Sequence, residues 1–353
     1  MQLFCVAPTE IEDRTVKNKA AIVGGIALLV SVLIFIGTMV LPLRGQTGQT
    51  AYVEIKKGES LNRIATNLEK QDLVVSKFLF KWASFFLGKR KSIKSGEYKI
   101  VGRVSTFSLI RLLSKGNTIL KRVTIPEGLR MDEIFELLSK TGLGTREKYQ
   151  LYSRQKTFIQ SLGLGDQTVS LEGFLFPETY LFSKHTSSQT VIRTMLKAFF
   201  DHIPDDYGAR AKAVDLTYYE AIILASIIEK ETGASSERKL IASVFHNRLK
   251  QKMRLQTDPT VIYGIKNFNG NLTRKQLRAR TPYNTYIVKG LPPTPIANPG
   301  LASLNAAVQP AKTDYLFFVA KGDGTHKFTN NYRDHEQAVK KYQLRRKRNY
   351  KSF

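Results

Sequence analysis

The alternation of apolar and polar positions divides the chain into three stretches. Residues 20–43 contain no charged side chain and read AAIVGGIALLVSVLIFIGTMVLPL. As a helix, these 24 positions at ~1.5 Å rise reach ~36 Å, enough for a ~30 Å hydrocarbon core, so one transmembrane helix is predicted. The run is longer than a signal-peptide core, and no small-x-small cleavage site follows Pro42, so the anchor is expected to stay uncleaved. Arg14, Lys17 and Lys19 precede it and only Arg44 closely follows, which places the N-terminus in the cytosol and the rest of the chain outside.

Residues 1–19 are then a cytoplasmic tail, and 44–51 a flexible Gly- and Thr-containing linker. Order is expected to resume at Tyr52. The alternation Tyr52-Val-Glu-Ile-Lys predicts a strand, Lys57-Gly58 a turn, and Leu61, Ile64, Ala65 and Leu68 the buried face of a helix. The same pattern returns seventy residues on. Val53, Ile55, Gly58, Ile64, Leu68, Lys70 and Leu73 align with Val123, Ile125, Gly128, Ile134, Leu138, Lys140 and Leu143, seven identities in 21 positions, which points to two strand-turn-helix copies. The opening Val-x-Ile-Lys-Lys-Gly-Glu-Ser-Leu of the first copy resembles a LysM module, a small wall-polysaccharide binding fold, so 52–119 is expected to be a LysM-like subdomain. Residues 77–87, rich in Phe and Trp, predict a buried helix in preference to a sugar-stacking face. A strand is expected from Ser95.

Beyond residue 120 the spacing predicts long helices over 189–202, 218–232 and 236–253, then two late strands joined by a turn at Gly322-Asp-Gly. Strands and helices do not alternate as βαβ units, so the class is α+β, with 120–353 as a larger domain.

Composition narrows the function. With 42% hydrophobic and 24% charged residues the chain is neither disordered nor a multi-span membrane protein. Its formal net charge of +26 would suggest nucleic acid in the cytosol, but outside a membrane it suggests anionic headgroups or a polyanionic wall. No zinc-finger, RRM or basic-zipper signature is present, so no nucleic-acid partner is expected. The basic end between Lys340 and Lys351 reads as a solvated helix face or frayed tail. Cys5 is the only cysteine and the five histidines lack ligand spacing, so no disulfide and no metal are expected; no Gly-rich phosphate loop precedes a helix, and no cofactor is expected.

The candidate chemistry centres on Leu224-Ala-Ser-Ile-Ile-Glu229-Lys-Glu231-Thr-Gly233. At ~100° per residue, Glu231 shares a face with Leu224, Ile227 and Ile228, whereas Glu229 points the other way beside small side chains. Apolar surroundings and the carbonyl end of a helix, with Gly233 as its expected C′ residue, both favour the neutral acid. That is the state a general acid needs for glycosidic cleavage. An ion pair between Glu231 and Arg238, Arg248 or Arg254 is an equal alternative on pattern alone. Downstream, Leu255-Gln256-Thr-Asp258-Pro-Thr, Tyr283-Asn284-Thr-Tyr286 and the stiff loop running to Asn298-Pro-Gly300 mix hydrogen-bonding and aromatic groups in the way carbohydrate sites do. Taken singly, each also fits ordinary turn chemistry.

Together, Ala-Ser-Ile-Ile-Glu-Lys-Glu-Thr, Leu-Gln-Thr-Asp-Pro-Thr-Val-Ile-Tyr-Gly, Tyr-Asn-Thr-Tyr, Gly-Leu-Pro-Pro-x-Pro-Ile-Ala-Asn-Pro-Gly and the hairpin ending His-Lys-Phe resemble the bacterial endolytic murein transglycosylases. The resemblance implies a single-pass inner-membrane enzyme that cuts nascent peptidoglycan glycan strands internally and ends their elongation, with glycan-polymerising synthases as possible partners. It implies Glu231 as the catalytic acid between MurNAc and GlcNAc, leaving a 1,6-anhydro end. Gln256, Asp258, Tyr283, Asn284 and Asn298 are the residues expected to hold substrate. The competing expectations are a non-catalytic wall-binding scaffold and a muramidase that hydrolyses the same bond.

Overall fold

A computed structural model describes residues 22–27, 29–30, 32–33, 37, 50–165 and 168–344. The cytoplasmic tail, most of the linker and the end of the basic tail lie outside the described residues, as does about half of 20–43. The described positions within 20–43 are helical. No helix among the described residues is long and apolar enough to cross a membrane.

Two compact units emerge, Met1–Lys121 with Ser183–His185, and Arg122–Phe182 with Thr186–Phe353. The first holds β1 (Thr50–Ile55), α1 (Leu61–Lys70), α2 (Lys77–Phe86), β2 (Gly96–Val101) and α3 (Thr106–Lys115). β1 and β2 are antiparallel, with Val53 opposite Tyr98. Their inward side chains meet Ile64, Leu68, Phe80, Leu109 and Leu113 in one core. Ser60 and Ser105 cap α1 and α3 by accepting from the N–H groups of Arg63 and Ser108, which satisfies donors a helix start leaves open.

The expectation of a buried aromatic helix needs correction. On α2 only Phe80, Ala83 and Ser84 are buried, while Phe78, Trp82, Phe85 and Phe86 are 59%, 43%, 55% and 69% exposed. At ~100° per residue, positions 78, 82, 85 and 86 fall on one face and 80, 83 and 84 on the opposite one. The helix has two apolar faces, and the core takes one.

In chain order, the second unit contains β3 (Leu120–Thr124, whose first two residues belong to the first unit), α4 (Met131–Lys140), α5 (Arg146–Arg154), α6 (Lys156–Gln160), β4 (Thr179–Ser183, whose last residue belongs to the first unit) and α7 (Ser188–His202). There follow α8 (Tyr207–Ala213), α9 (Tyr218–Glu231), α10 (Arg238–Lys250), α11 (Asp258–Tyr263), α12 (Arg274–Leu277), α13 (Leu301–Val308), β5 (Phe317–Ala320), β6 (His326–Thr329) and α14 (Tyr332–Val339). β3 pairs with β4, and β5 with β6, in separate two-stranded sheets, so the architecture is α+β. The helix expected over 236–253 is shorter: a 3-10 turn, Ser235–Glu237, precedes α10, which stops at Lys250.

The internal repeat takes the same local form twice. Gly58 and Gly128 turn with φ of 78° and 74°. Each copy then closes its helix with a matching bond, Leu73 N–H to Leu68 C=O at 2.9 Å and Leu143 N–H to Leu138 C=O at 3.2 Å. The paired Ile and Leu positions are buried in both copies, each in the core of its own unit.

α9 is apolar all round, as a central helix must be, and every residue from Ala221 to Ile228 is buried. A capping box starts it: Thr217 accepts from Glu220 N–H at 3.2 Å, and Glu220 accepts from Thr217 N–H at 2.8 Å. Ser226 ties it to the proline-rich loop by accepting from Ile296 N–H at 3.0 Å.

Candidate active site

α9 delivers Glu231 to its C-terminal end, where Thr232 turns the chain extended at ψ 113°. Gly233 is not the left-handed C′ residue anticipated from the sequence. Its lack of a side chain matters for another reason, since a Cβ there would lie 2.9 Å from the Gly324 carbonyl oxygen of the β5–β6 turn. That close approach brings the hairpin, and with it His326, to the helix end.

Glu231 opens onto a groove of about 640 Å³ whose lining includes Arg248, Gln256, Asp258, Tyr286, Phe317, Phe318 and His326. The residue as a whole is half-buried, but its carboxyl group is packed round by protein. Lost hydration therefore dominates its titration and raises its pKa above the ordinary carboxylate value; the charge of Asp258 adds to this. A hydrogen bond donated by the Thr257 hydroxyl, and the charges of His326 and Arg248, oppose the rise.

The ion-pair alternative fails among the described residues. Arg248 spends its guanidinium on the backbone carbonyls of Leu316 at 2.7 Å and Leu255 at 2.7 Å, and lies over the Phe317 ring. Arg238 lies 4.0 Å from Glu229. The Glu229 carboxylate is turned the opposite way, accepting from Gly300 N–H at 3.1 Å.

Two of the sequence motifs form one stitched wall. Thr257 N–H donates to the Thr285 hydroxyl at 3.1 Å, Gln256 N–H to the Thr285 carbonyl at 3.2 Å, and the Thr260 and Thr285 hydroxyls lie 2.8 Å apart. The stitching fixes the Thr257 hydroxyl against Glu231 and holds Gln256 in the left-handed region at φ 51°, a strained state for a residue with a side chain. Tyr286 donates to Asp258 at 2.7 Å across the same wall. Burial, and then the neighbouring carboxylates, push the Tyr286 hydroxyl well above the usual tyrosine range. Opposite, His326 lies on Glu237, with Nδ1 2.8 Å from its carboxylate and the backbone N–H donating to the same group at 3.0 Å.

Of the five residues expected to hold substrate, the groove gathers Gln256 and Asp258 around Glu231. Tyr283, Asn284 and Asn298 stand apart from it. Asn284 is fully buried, donating to the carbonyls of Leu277 at 3.0 Å and Ala279 at 2.7 Å and accepting from Tyr286 N–H at 3.0 Å. Asn298 is fully buried too. It accepts from Gly173 and Leu175 N–H at 3.0 and 2.9 Å and donates to the Leu129 carbonyl and to Glu172 at 3.0 and 2.9 Å. Tyr283 is half-buried, its ring against Tyr263 and its hydroxyl 2.8 Å from that of Thr294. These three shape the loops behind the groove. Tyr286, Arg248 and His326 line the groove, and Thr257, buried behind it, bonds to Glu231; the sequence offered Arg248 only as an ion-pair partner and did not single out the other three. Thr257 and Tyr286 lay inside the quoted motifs, so their neighbours were the available signal; His326 had none but its place in the hairpin. No cluster of metal-ligating side chains occurs among the described residues.

A buried acid on a groove lined by both polar and aromatic side chains in an α+β unit is an arrangement suited to cleaving carbohydrate. The chain belongs to the YceG-like family, which it matches over residues 53–341. A protein named endolytic murein transglycosylase from Bacillus subtilis (strain 168) is 33% identical over 315 residues, covering 85% of this chain and 87% of the relative. A second of that name, from Streptococcus pneumoniae serotype 2, is 30% identical over 332 residues, and the match covers 85% of this chain and 59% of that protein. Among solved structures, a YceG-like protein from Listeria monocytogenes superposes with a TM-score of 0.57 at 31% identity, covering 82% of this chain and 98% of that one.

Proposed function

We propose that the chain is an endolytic murein transglycosylase that cleaves the MurNAc–GlcNAc bond of peptidoglycan, with Glu231 as both acid and base. Protonated Glu231 gives its proton to the bridging oxygen as the bond to C1 breaks. The resulting carboxylate takes the proton of the MurNAc C6 hydroxyl as that oxygen bonds to C1, so a 1,6-anhydro end forms and no water is consumed. The observation that carries this reading is a carboxyl held toward its neutral form by burial, bonded to the Thr257 hydroxyl and free of an ion pair among the described residues. Replacing Glu231 with Gln is expected to lower cutting of glycan strands by at least ~1000-fold while leaving the circular dichroism spectrum unchanged. Full activity in that variant would move the acid role elsewhere.

A second reading, hydrolysis by a muramidase, is favoured by Asp258, a second carboxylate on the same groove. Its hydrogen bond from Tyr286 engages one of its oxygens and supports a positioning role for it in the first reading.

The proposal includes a membrane anchor at 20–43, with the N-terminus in the cytosol and the catalytic unit on the wall side. The uncharged run and the basic residues before it support this. LysM-like glycan binding by 52–119 is supported by its opening motif, which lies on β1, the Gly58 turn and α1. Work alongside glycan-polymerising synthases rests on the family resemblance.

A further inference from the structure

Phe78, Trp82, Phe85 and Phe86 stand out from the first unit on the face of α2 that its core leaves uncovered. Their rings touch one another, Trp82 lying 5.8 Å from Phe78 and 5.7 Å from Phe86, and Phe85 5.8 Å from Phe86. Lys81 and Arg90 lie beside them, and the sequence around them is basic. Between Asp72 and Glu97 the chain carries Lys77, Lys81, Lys89, Arg90, Lys91 and Lys94 and no acidic residue. Arg90 lies 5.7 Å over the Phe85 ring.

We propose that this face docks on the surface of an anionic bilayer, its rings entering the headgroup boundary and its lysines and arginine meeting lipid phosphates. Exposed aromatics with a cationic fringe on one helix face are the chemistry of an interfacial anchor. The proposal does not depend on the transglycosylase reading. Placement agrees with it, because the six residues 44–49 between the uncharged run and β1 span at most ~22 Å, which holds the first unit near the end of that run. A glycan fits less well. The hollow of about 300 Å³ beside the rings is lined by Phe78, Trp82, Phe85 and the cationic Lys81 and Arg90, so it offers no side-chain acceptor for sugar hydroxyls. Phe78 and Phe85 are tilted by 56° and 80° from Trp82, and of the three neighbouring rings only Phe86, at 28°, lies near its plane. A second copy would set the same positive charges against each other.

Trp82 is the only tryptophan, so its fluorescence reports this face alone. The test reconstitutes the full chain into vesicles of phosphatidylcholine, with or without phosphatidylglycerol, carrying bromine on the lipid acyl chains. Bromine should quench Trp82 in the phosphatidylglycerol vesicles, and added salt should weaken the quenching. Lys81→Gln, which also gives up a hydrogen bond to Asn62 at 3.1 Å, and Arg90→Gln, at an exposed position, should each lower the ratio of docked to free protein about fivefold. Absent quenching, quenching equal in both lipids, or quenching unchanged in both variants would overturn the proposal. So would a Trp82 response to soluble glycan fragments, or to protein concentration without lipid, in place of one to lipid.

Discussion

Packing raises the pKa of Glu231, and Thr257 opposes the rise. The Thr257 hydroxyl donates to the Glu231 carboxyl and thereby favours the ionised form, opposing desolvation. Thr257→Val should therefore raise the pKa of Glu231 further and loosen its aim. The expected result is a kcat lowered by roughly ten- to a hundredfold, with the alkaline limb of the pH–rate profile moved to higher pH. An acid is lost as pH rises through its pKa, so a raised pKa extends activity upward. A profile unchanged in position would show that the hydroxyl does not touch the titrating group. The buried setting of Glu231 was legible in the sequence because an acid on an apolar stripe violates the helix pattern. Thr257 was not, because a threonine before Asp-Pro looks like ordinary turn chemistry until the chain folds back 26 residues to meet the carboxyl.

At the scale of elements, the groove depends on loops fastened from behind. Glu172 is 2% exposed and accepts from Met131 N–H at 2.8 Å, Asn298 at 2.9 Å and the Tyr263 hydroxyl at 3.1 Å, joining α4, α11 and the proline-rich loop. Burial raises its pKa from the ordinary 4.5 to about 8, against the opposing pull of those hydrogen bonds and of Arg130. Because the folded-state value lies above the unfolded one, stability is full below about 4.5, falls as pH rises toward about 8, and levels off beyond. Glu172→Gln copies the neutral acid and cannot ionise. Its Tm should exceed that of the native chain at pH 8 and match it near pH 4, with a shallower slope between, the remainder coming from other buried carboxyls such as Glu231. A slope as steep as that of the native chain would place the titration in another group. Asn298 belongs to this latch. It was expected to bind substrate because a polar residue in a stiff loop looks the same in sequence whether it faces a groove or the core. The aromatic helix misled in the opposite direction, since spacing alone reveals two apolar faces on α2 but not which one the core takes. The central helix, the hairpin and both repeat copies were readable, because their periodicity and their glycine turns are local properties.

For the whole molecule, charge and hydrophobicity set the expected placement. Reporter fusions should show the N-terminus inside and the C-terminus outside the cell membrane; a C-terminus in the cytosol would remove the wall as substrate and return the +26 charge to other partners. The central claim is chemical, that one carboxyl cuts the glycan by internal attack with no water consumed. Mass analysis of the ends made by the purified full chain on uncross-linked glycan strands tests it most directly. Ends carrying 1,6-anhydroMurNAc, absent with Glu231→Gln, are the expected result. Reducing MurNAc ends would contradict it and assign Asp258, or another base, the activation of water.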